Sequence, residues 1–359
     1  MKKIILTGGG TAGHVTPNLA LVPRLKDFGY TIIYIGSYEG IEKRLAEEAG
    51  IPYYGISSGK LRRYFDWKNF SDPLRVLKGY QEAKKLLKDL KPDIVFSKGG
   101  FVSVPVVTAA GRKGIPVIIH ESDMTPGLAN RLSFPSASKI CCTFKETLKC
   151  IPAEKGVFTG SPIRRDLLSG NKLAACSFTG FTVNKPTILI IGGSLGAAAI
   201  NESIRKILPS LLKDFQVVHI CGKNKVDPTL THLHGYVQYE YVSEELRDIF
   251  AMTDIIVSRA GSNAICEFLA LKKPALLIPL PANASRGDQI LNAASFEKQG
   301  FSKVLQENDI TEDILLQNIR ELYEHRSNYI HAMEHAEQSN AIVTIVDLIE
   351  KISQHGKQV

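Results

Sequence analysis

The chain has 359 residues, of which 44% are hydrophobic and 22% are charged, and it carries a formal net charge of +8. This length exceeds a typical single core, so we expect two globular domains. The apolar run after Lys3 stops at Thr7, which is too short for a signal peptide, and no run is long enough to span a bilayer. The absence of a C-x-x-C pair favours reduced thiols in a cytosolic protein.

The positive charge suits a polyanionic substrate or an anionic membrane surface. Nucleic acid is not expected as a partner, because the basic residues are spread widely and no nucleic-acid-binding module is recognisable.

A strand followed by a glycine-rich loop occurs twice in the chain. Ile4–Thr7 leads into Gly8–His14 (GGGTAGH), and Thr187–Ile191 leads into Gly192–Ala197 (GGSLGA). A buried parallel strand, a tight glycine turn and a helix N-terminus together form an anion site, because backbone N–H groups and the helix dipole face the ligand. The sequence therefore predicts an α/β protein with two Rossmann-like domains facing across a cleft, which would hold a nucleotide or a sugar phosphate.

The remaining elements alternate as expected for such domains. Thr16 is the predicted N-cap of the first helix, which Gly29 ends and Pro23 should kink or shorten. Asp72-Pro73 is predicted to open a long helix that runs to about Leu90. Further strands are expected at 31–35, 94–96, 117–120, 217–220, 254–257 and 275–278, and further helices at about 244–252, 263–272, 287–299 and beyond 311.

The first loop also matches the dinucleotide fingerprint G-x-G-x-x-G through Gly8, Gly10 and Gly13. The second strand ends at Ser37 without the acidic residue that binds a ribose, so a mononucleotide or sugar phosphate is favoured over NAD or FAD. His14 directly follows the loop. It is either a structural histidine or, at the mouth of an anion-binding loop, a catalytic one.

The second loop also matches G-x-S-x-G through Gly192, Ser194 and Gly196. A serine hydrolase is therefore a competing interpretation, since a nucleophile elbow needs this strand–turn–helix context. No downstream histidine is well placed to complete a catalytic triad. We interpret Ser194 as a phosphate ligand.

Other polar turns follow predicted strands, where open α/β sheets bind ligands. Ser258–Glu267 is one of them, and Glu267 either interacts with the helix dipole or accepts hydrogen bonds from ribose hydroxyls. Arg164, in the turn 160–164, is suited to clamp a phosphate. The chain contains no D-x-D motif, so no metal site and no other cofactor is expected.

Segment 60–78 interleaves basic residues with bulky apolar residues such as Trp67, Phe70, Leu74 and Leu77. Such a segment is either a core-facing helix preceded by a loop or an interfacial patch that meets anionic lipid.

The order and spacing of six motifs resemble those of the MurG family of bacterial glycosyltransferases over nearly the whole chain. The resemblance implies the GT-B fold, with an acceptor-binding, membrane-facing domain at 1–163, a donor-binding domain at 164–340 and a helix at 341–359 that returns to the first domain. The motifs are Gly8–His14, Lys98–Phe101, His120–Asp123, Gly192–Ala197, Ser258–Glu267 and Gly287–Ala293.

The reaction implied by the resemblance is an inverting transfer of N-acetylglucosamine from UDP-N-acetylglucosamine. The acceptor would be the 4-hydroxyl of the muramyl sugar in undecaprenyl-diphosphate-linked MurNAc-pentapeptide, which converts lipid I to lipid II in peptidoglycan synthesis. His14 is preferred over Glu121 as the base that takes the hydroxyl proton. The protein would be peripheral on the cytoplasmic face of the cell membrane, and its partners would be UDP-N-acetylglucosamine, lipid I and anionic lipid.

Donor contacts are carried over by motif. Asp123 departs from the asparagine frequent in the family, and its carboxylate would repel a diphosphate unless it binds sugar hydroxyls. Ala12 and Asp288 depart from the family pattern as well. Two alternatives stay open, a non-catalytic nucleotide-binding membrane adaptor and the serine hydrolase. The implied donor contacts are Thr11, Ala12, Gly13, Asp123, Arg164, Ser194, Val242, Ser262, Asn263, Ala264, Ile265, Cys266, Glu267 and Gln289.

Overall fold

The computed structural model describes residues 2–59, 68–193, 197–284, 286–336 and 340–355, with only the backbone described for 68–73 and 355. The chain forms two compact units. The first comprises Met1–Arg164 together with Ser339–Val359, and the second comprises Arg165–Gln338. Each unit is a parallel β-sheet with helices, so the predicted α/β class is confirmed.

The first unit contains a sheet of seven parallel strands within the described residues, in the order β3-β2-β1-β4-β5-β6-β7. The strand order reverses between β1 and β4, which is where open sheets of this kind bind ligands. Thr7 pairs with Ser97 at the ends of these two strands, so the loops that follow them are neighbours. The strands are β1 (Lys2–Thr7), β2 (Tyr30–Ser37), β3 (Tyr53–Ile56), β4 (Ile94–Ser97), β5 (Val117–Glu121), β6 (Lys139–Cys142) and β7 (Gly156–Phe158).

Helices of the first unit depart from prediction at three points. The long helix predicted to open at Asp72-Pro73 begins four residues earlier, at Lys68. Thr16 is not an N-cap, because the helix follows directly on a 3-10 turn at Ala12–His14 and the Thr16 hydroxyl donates back to the Ala12 carbonyl. Pro23 does not shorten the helix, which continues to Asp27. The helices are α1 (Thr16–Asp27), α2 (Ile41–Glu48), α3 (Lys68–Leu90), α4 (Ser103–Arg112) and α5 (Leu128–Ser133).

The second unit repeats the plan with six parallel strands in its described part, in the order β10-β9-β8-β11-β12-β13. The predicted strands are confirmed, whereas β10 and β13 had not been predicted. The strands are β8 (Thr187–Ile191), β9 (Gln216–Ile220), β10 (Tyr236–Tyr239), β11 (Ile255–Ser258), β12 (Ala275–Leu277) and β13 (Ser302–Val304). The helices are α6 (Lys172–Thr179), α7 (Ala198–Asp214), α8 (Leu246–Met252), α9 (Ser262–Ala270), α10 (Asp288–Lys298), α11 (Glu312–Glu324) and α12 (Arg326–Glu334).

The last helix, α13 (Ala341–His355), packs in the core of the first unit. Its residues Ile345 and Ile349 are fully buried there. At its surface, Glu350 forms an ion pair with Lys2 at 2.6 Å. The apolar face of this helix is therefore covered by the N-terminal part of the chain, so that the two ends of the chain belong to one unit.

No helix in the described ranges combines the length and the hydropathy needed to cross a membrane.

Candidate active site

The first glycine loop directs two of its amides into the protein. The Gly9 N–H donates to the Gly99 carbonyl at 3.3 Å, and the Gly10 N–H donates to Glu42 Oε2 at 3.2 Å. The prediction that the loop's amides point at a bound ligand is therefore wrong for these two groups, since both donate to acceptors within the protein. The predicted donor contacts Thr11, Ala12 and Gly13 lie just beyond them, at the start of the 3-10 turn.

His14 closes this 3-10 turn and is partly exposed. Its Nδ1 lies 3.1 Å from the hydroxyl oxygen of Thr11, and its backbone N–H donates to the Thr11 carbonyl at 3.1 Å. The imidazole is thus oriented by a neighbouring side chain, as the general bases of enzymes commonly are.

A buried ammonium lies beside the loop. Lys98 is 1% exposed, and its Nζ donates to His120 Nδ1 at 2.7 Å and to Ser122 Oγ at 2.6 Å. His120 Nε2 must carry the proton, because it donates to the Gly160 carbonyl at 2.9 Å. Burial and the neighbouring ammonium hold the pKa of His120 well below its usual value, so this histidine is neutral.

Glu121, the second candidate base, has its carboxylate engaged by the protein itself. Oε1 accepts from the Asp123 N–H at 3.0 Å, while Oε2 accepts from the Gly127 N–H at 3.0 Å and from Asn130 Nδ2 at 2.8 Å. Burial raises the pKa of this carboxyl. These contacts fix the turn that carries Asp123, a predicted donor contact.

The second unit brings together the ends of β8, β11 and β12. Ser258 Oγ donates to the Ile191 carbonyl at 2.6 Å, which links β11 to the strand before the second glycine loop. The buried Arg259 donates to the Ile278 carbonyl at 3.1 Å and forms an ion pair with Glu307. These contacts hold the loops at one edge of the sheet, where ligands bind in this type of fold.

Helix α9 has its N-terminus at this edge. Its N-cap is Gly261, which has no side chain to cap the first turn. The N–H groups of a helix N-terminus attract anions. Asn263 and Glu267 are one turn apart on the same face and are partly exposed, as are Ala264 and Cys266. Ile265 is fully buried and Ser262 nearly so, and the Ile265 N–H donates to the Gly261 carbonyl at 3.1 Å.

The remaining predicted donor contacts are spread over several loops. Gln289 uses its Oε1 to accept from the Leu280 N–H at 3.1 Å, and Val242 is buried in the loop after β10. Arg164 is the last residue of the first unit. Ser194 lies outside the described residues.

Asn292 was missing from the predicted site residues. Its Nδ2 donates to the Ala260 carbonyl at 3.3 Å and so joins α10 to the loop that opens α9. Its position within the Gly287–Ala293 motif was the sequence signal that could have revealed it.

The histidine at the end of β9 does not serve a triad. His219 Nδ1 is 2.9 Å from the Tyr236 hydroxyl, and Nε2 is 3.0 Å from Asn201 Oδ1. Burial lowers its pKa to about 3. With both ring nitrogens engaged in the core, His219 cannot activate a serine, which weakens the hydrolase interpretation. Among the described residues, no group of three or more His, Cys, Asp or Glu side chains could hold a metal ion.

Comparison with known proteins decides the family. The glycosyltransferase family 28 N-terminal domain matches residues 4–142, and the family's C-terminal domain matches residues 187–349. The chain belongs to glycosyltransferase family 28. The predicted family and enzyme class, a glycosyltransferase, are thereby confirmed.

Close relatives of this family 28 chain carry one functional name. A protein from Lachnospira eligens is 64% identical, and the match spans 99% of this chain and 100% of that protein. A protein from Lachnoclostridium phytofermentans is 62% identical, and the match spans 98% of this chain and 99% of that protein. Both are called UDP-N-acetylglucosamine--N-acetylmuramyl-(pentapeptide) pyrophosphoryl-undecaprenol N-acetylglucosamine transferase.

Solved structures agree with the fold. The crystal structure of Acinetobacter baumannii MurG matches 98% of this chain and 100% of its own, with a TM-score of 0.77 and 29% identity. The glycotransferase of kitacinnamycin, at 15% identity and a TM-score of 0.76, covers 98% of this chain and 99% of its own, and supports the fold alone.

Proposed function

We propose that this family 28 transferase moves N-acetylglucosamine from UDP-N-acetylglucosamine to the muramyl 4-hydroxyl of lipid I, producing lipid II. The observation that carries the proposal is the 64% identity, from end to end, to a relative named for this reaction. In this scheme the first unit binds the acceptor. The second unit, most of which matches the family's C-terminal domain, binds the donor.

The donor side of the mechanism rests on α9 and the second glycine loop. The N-terminus of α9 suits the diphosphate, and the partly exposed Glu267 suits the ribose hydroxyls. As the anomeric C–O bond breaks, negative charge grows on the departing UDP. Helix N-termini, Arg164 and the amides around Ser194 would stabilise that charge.

The acceptor side rests on His14. The muramyl 4-hydroxyl attacks the anomeric carbon from the face opposite UDP, which inverts the configuration, and His14 takes the hydroxyl proton. Thr11 holds the ring in one orientation at 3.1 Å. Glu121 supports the reaction indirectly, since its carboxylate fixes the turn of Asp123.

The function is tested by incubating the protein with labelled UDP-N-acetylglucosamine and a lipid I analogue. We expect one UDP released for each labelled disaccharide-lipid formed. A matched acceptor that lacks the muramyl 4-hydroxyl should give neither product. Release of UDP without transfer, or equal labelling of the deoxy acceptor, would contradict the proposal.

Transfer is expected to continue undiminished in excess EDTA. Helix N-termini and an arginine can stabilise the negative charge on the departing diphosphate, which a divalent ion does in other transferases. The measurement compares initial rates in EDTA with rates in added Mg²⁺ or Mn²⁺. Loss of transfer in EDTA with recovery on adding the metal would show that a metal is required.

The start of α3 supports docking to anionic lipid. Leu74 is 70% exposed and Leu77 is 57% exposed, with the exposed Arg75 and Lys78 beside them. The core-facing side of this helix begins later, at Gly79 and Tyr80, and continues with Ala83 and Leu87. Segment 60–67 lies outside the described residues, and so do the side chains of 68–73.

We therefore expect Leu74→Ser with Leu77→Ser to weaken binding to anionic liposomes by at least about tenfold, since each leucine can contribute on the order of 1.5–3 kcal/mol when it is fully buried. Transfer to membrane-embedded acceptor should slow, while transfer to a short-chain soluble acceptor should persist. A matched control is Leu168→Ser with Leu173→Ser, which removes two leucines that are 58% and 67% exposed in the second unit. Equal liposome binding by both double variants would rule out this patch.

A further inference from the structure

A buried carboxylate lies beneath the first glycine loop. Glu42 is 1% exposed and sits in the first turn of α2, where the helix dipole favours a negative charge. Its Oε1 accepts from the Ser37 N–H at 3.1 Å and from the Ser37 hydroxyl, and its Oε2 accepts from the Gly10 N–H at 3.2 Å. Glu42 thus ties the loop after β1 to the end of β2.

The surrounding glycines make room for this carboxylate. A Cβ added to Gly9 would lie 2.6 Å from Glu42 Cδ, and one added to Gly36 would lie 2.7 Å from Glu42 Cγ. A Cβ on Gly40 would also collide with the carboxylate. The Glu42 carboxylate therefore leaves no room for a Cβ at Gly9 or Gly40, while at Gly36 the Tyr53 hydroxyl is nearer still. In dinucleotide-binding folds an acidic residue near the end of β2 meets a ribose, but here the carboxylate is turned onto the loop.

The contact between Glu42 and the Gly10 amide lies four residues before His14, the catalytic candidate. Gly10 has a φ of +88°, a left-handed conformation that turns the chain into Thr11 and the 3-10 turn. A shift of Gly10 would therefore move Thr11 together with His14, whose ring is oriented by the Thr11 hydroxyl. Misplacement of a reacting group by about 1 Å can cost on the order of a hundredfold in rate.

We propose that Glu42 is a positioning residue, which sets the reactive orientation of His14 by holding the Gly10 amide. The inference rests on the proposed role of His14 as the base. It assigns no contact between Glu42 and either substrate.

The experiment is a double-mutant cycle between Glu42→Gln and His14→Ala. Glutamine has the same shape but only one acceptor oxygen, so it cannot accept from both Gly10 and Ser37. We expect Glu42→Gln alone to lower kcat by about 10- to 100-fold, with the affinity of the second unit for UDP unchanged. In the His14→Ala background, Glu42→Gln should cause no further loss. Non-additivity is the readout that a general loss of structure would not produce.

The control is Glu47→Gln, an exposed glutamate on the same helix, which should match the parent in kcat. If Glu42→Gln does not fold, Glu42→Asp takes its place in the cycle, since it keeps both oxygens and shortens their reach. An unchanged kcat, or an equal loss in both backgrounds, would overturn the inference. If His14 is not the base, His14→Ala alone will keep a parental kcat. If the proposed reaction is wrong, the parent protein itself will not transfer N-acetylglucosamine to the lipid I analogue.

Discussion

His14→Ala should lower kcat by about 10²- to 10⁴-fold, the usual contribution of a general base, with little change in the affinity for UDP. Removing the imidazole leaves the attacking hydroxyl without its proton acceptor, while the donor site in the second unit stays intact. Steady-state kinetics with saturating donor and a soluble lipid I analogue measure the effect. Calorimetry with UDP measures donor binding.

Two comparison variants make this result specific. His232→Ala changes an exposed histidine on a turn of the second unit and should retain parental activity. Glu121→Gln tests the second candidate base. Three donors already bind that carboxylate. We therefore expect the Glu121→Gln protein to have a lower thermal transition temperature as well as lower activity. The opposite assignment, with Glu121 as the base, would be indicated by a different pattern. In that case Glu121→Gln would keep its full thermal stability and show the larger loss of kcat, while His14→Ala would keep near-parental activity.

Glu267→Ala should weaken UDP binding by about 10- to 150-fold, because a hydrogen bond to a charged group typically contributes about 1.5–3 kcal/mol. The side chain is partly exposed on α9, one turn beyond the helix N-terminus. Titration calorimetry with UDP and with UMP reports the loss, which should be similar for both since both carry the ribose. The thermal transition should stay close to that of the parent.

Glu324→Ala is the matched control, since it removes an exposed glutamate from the end of α11. Its affinity for UDP should equal that of the parent. Binding of UDP by Glu267→Ala at parental affinity would show that the carboxylate only interacts with the helix dipole, which was the alternative interpretation of this residue.

Glu42 illustrates where sequence reasoning fails. The sequence places no acidic residue at the end of β2, yet Glu42, which lies five residues past Ser37, returns to that strand end. No periodic pattern reveals this, because the contact depends on how α2 packs under the loop. Thr16 is a similar case, since the 3-10 turn before it removed the need for an N-cap.

What the sequence determined by itself is local and periodic. Apolar runs before glycine turns specify buried parallel strands, and their duplication specifies two α/β units, because strand burial and turn chemistry act over a few residues. Only the tertiary structure decided which side chains meet. Glu42 reaches Gly10 from 32 positions away, and His120 joins Lys98 and Gly160 from 22 and 40 positions away. These partners are chosen by the order of strands in the sheet, which brings together loop ends that no local pattern connects.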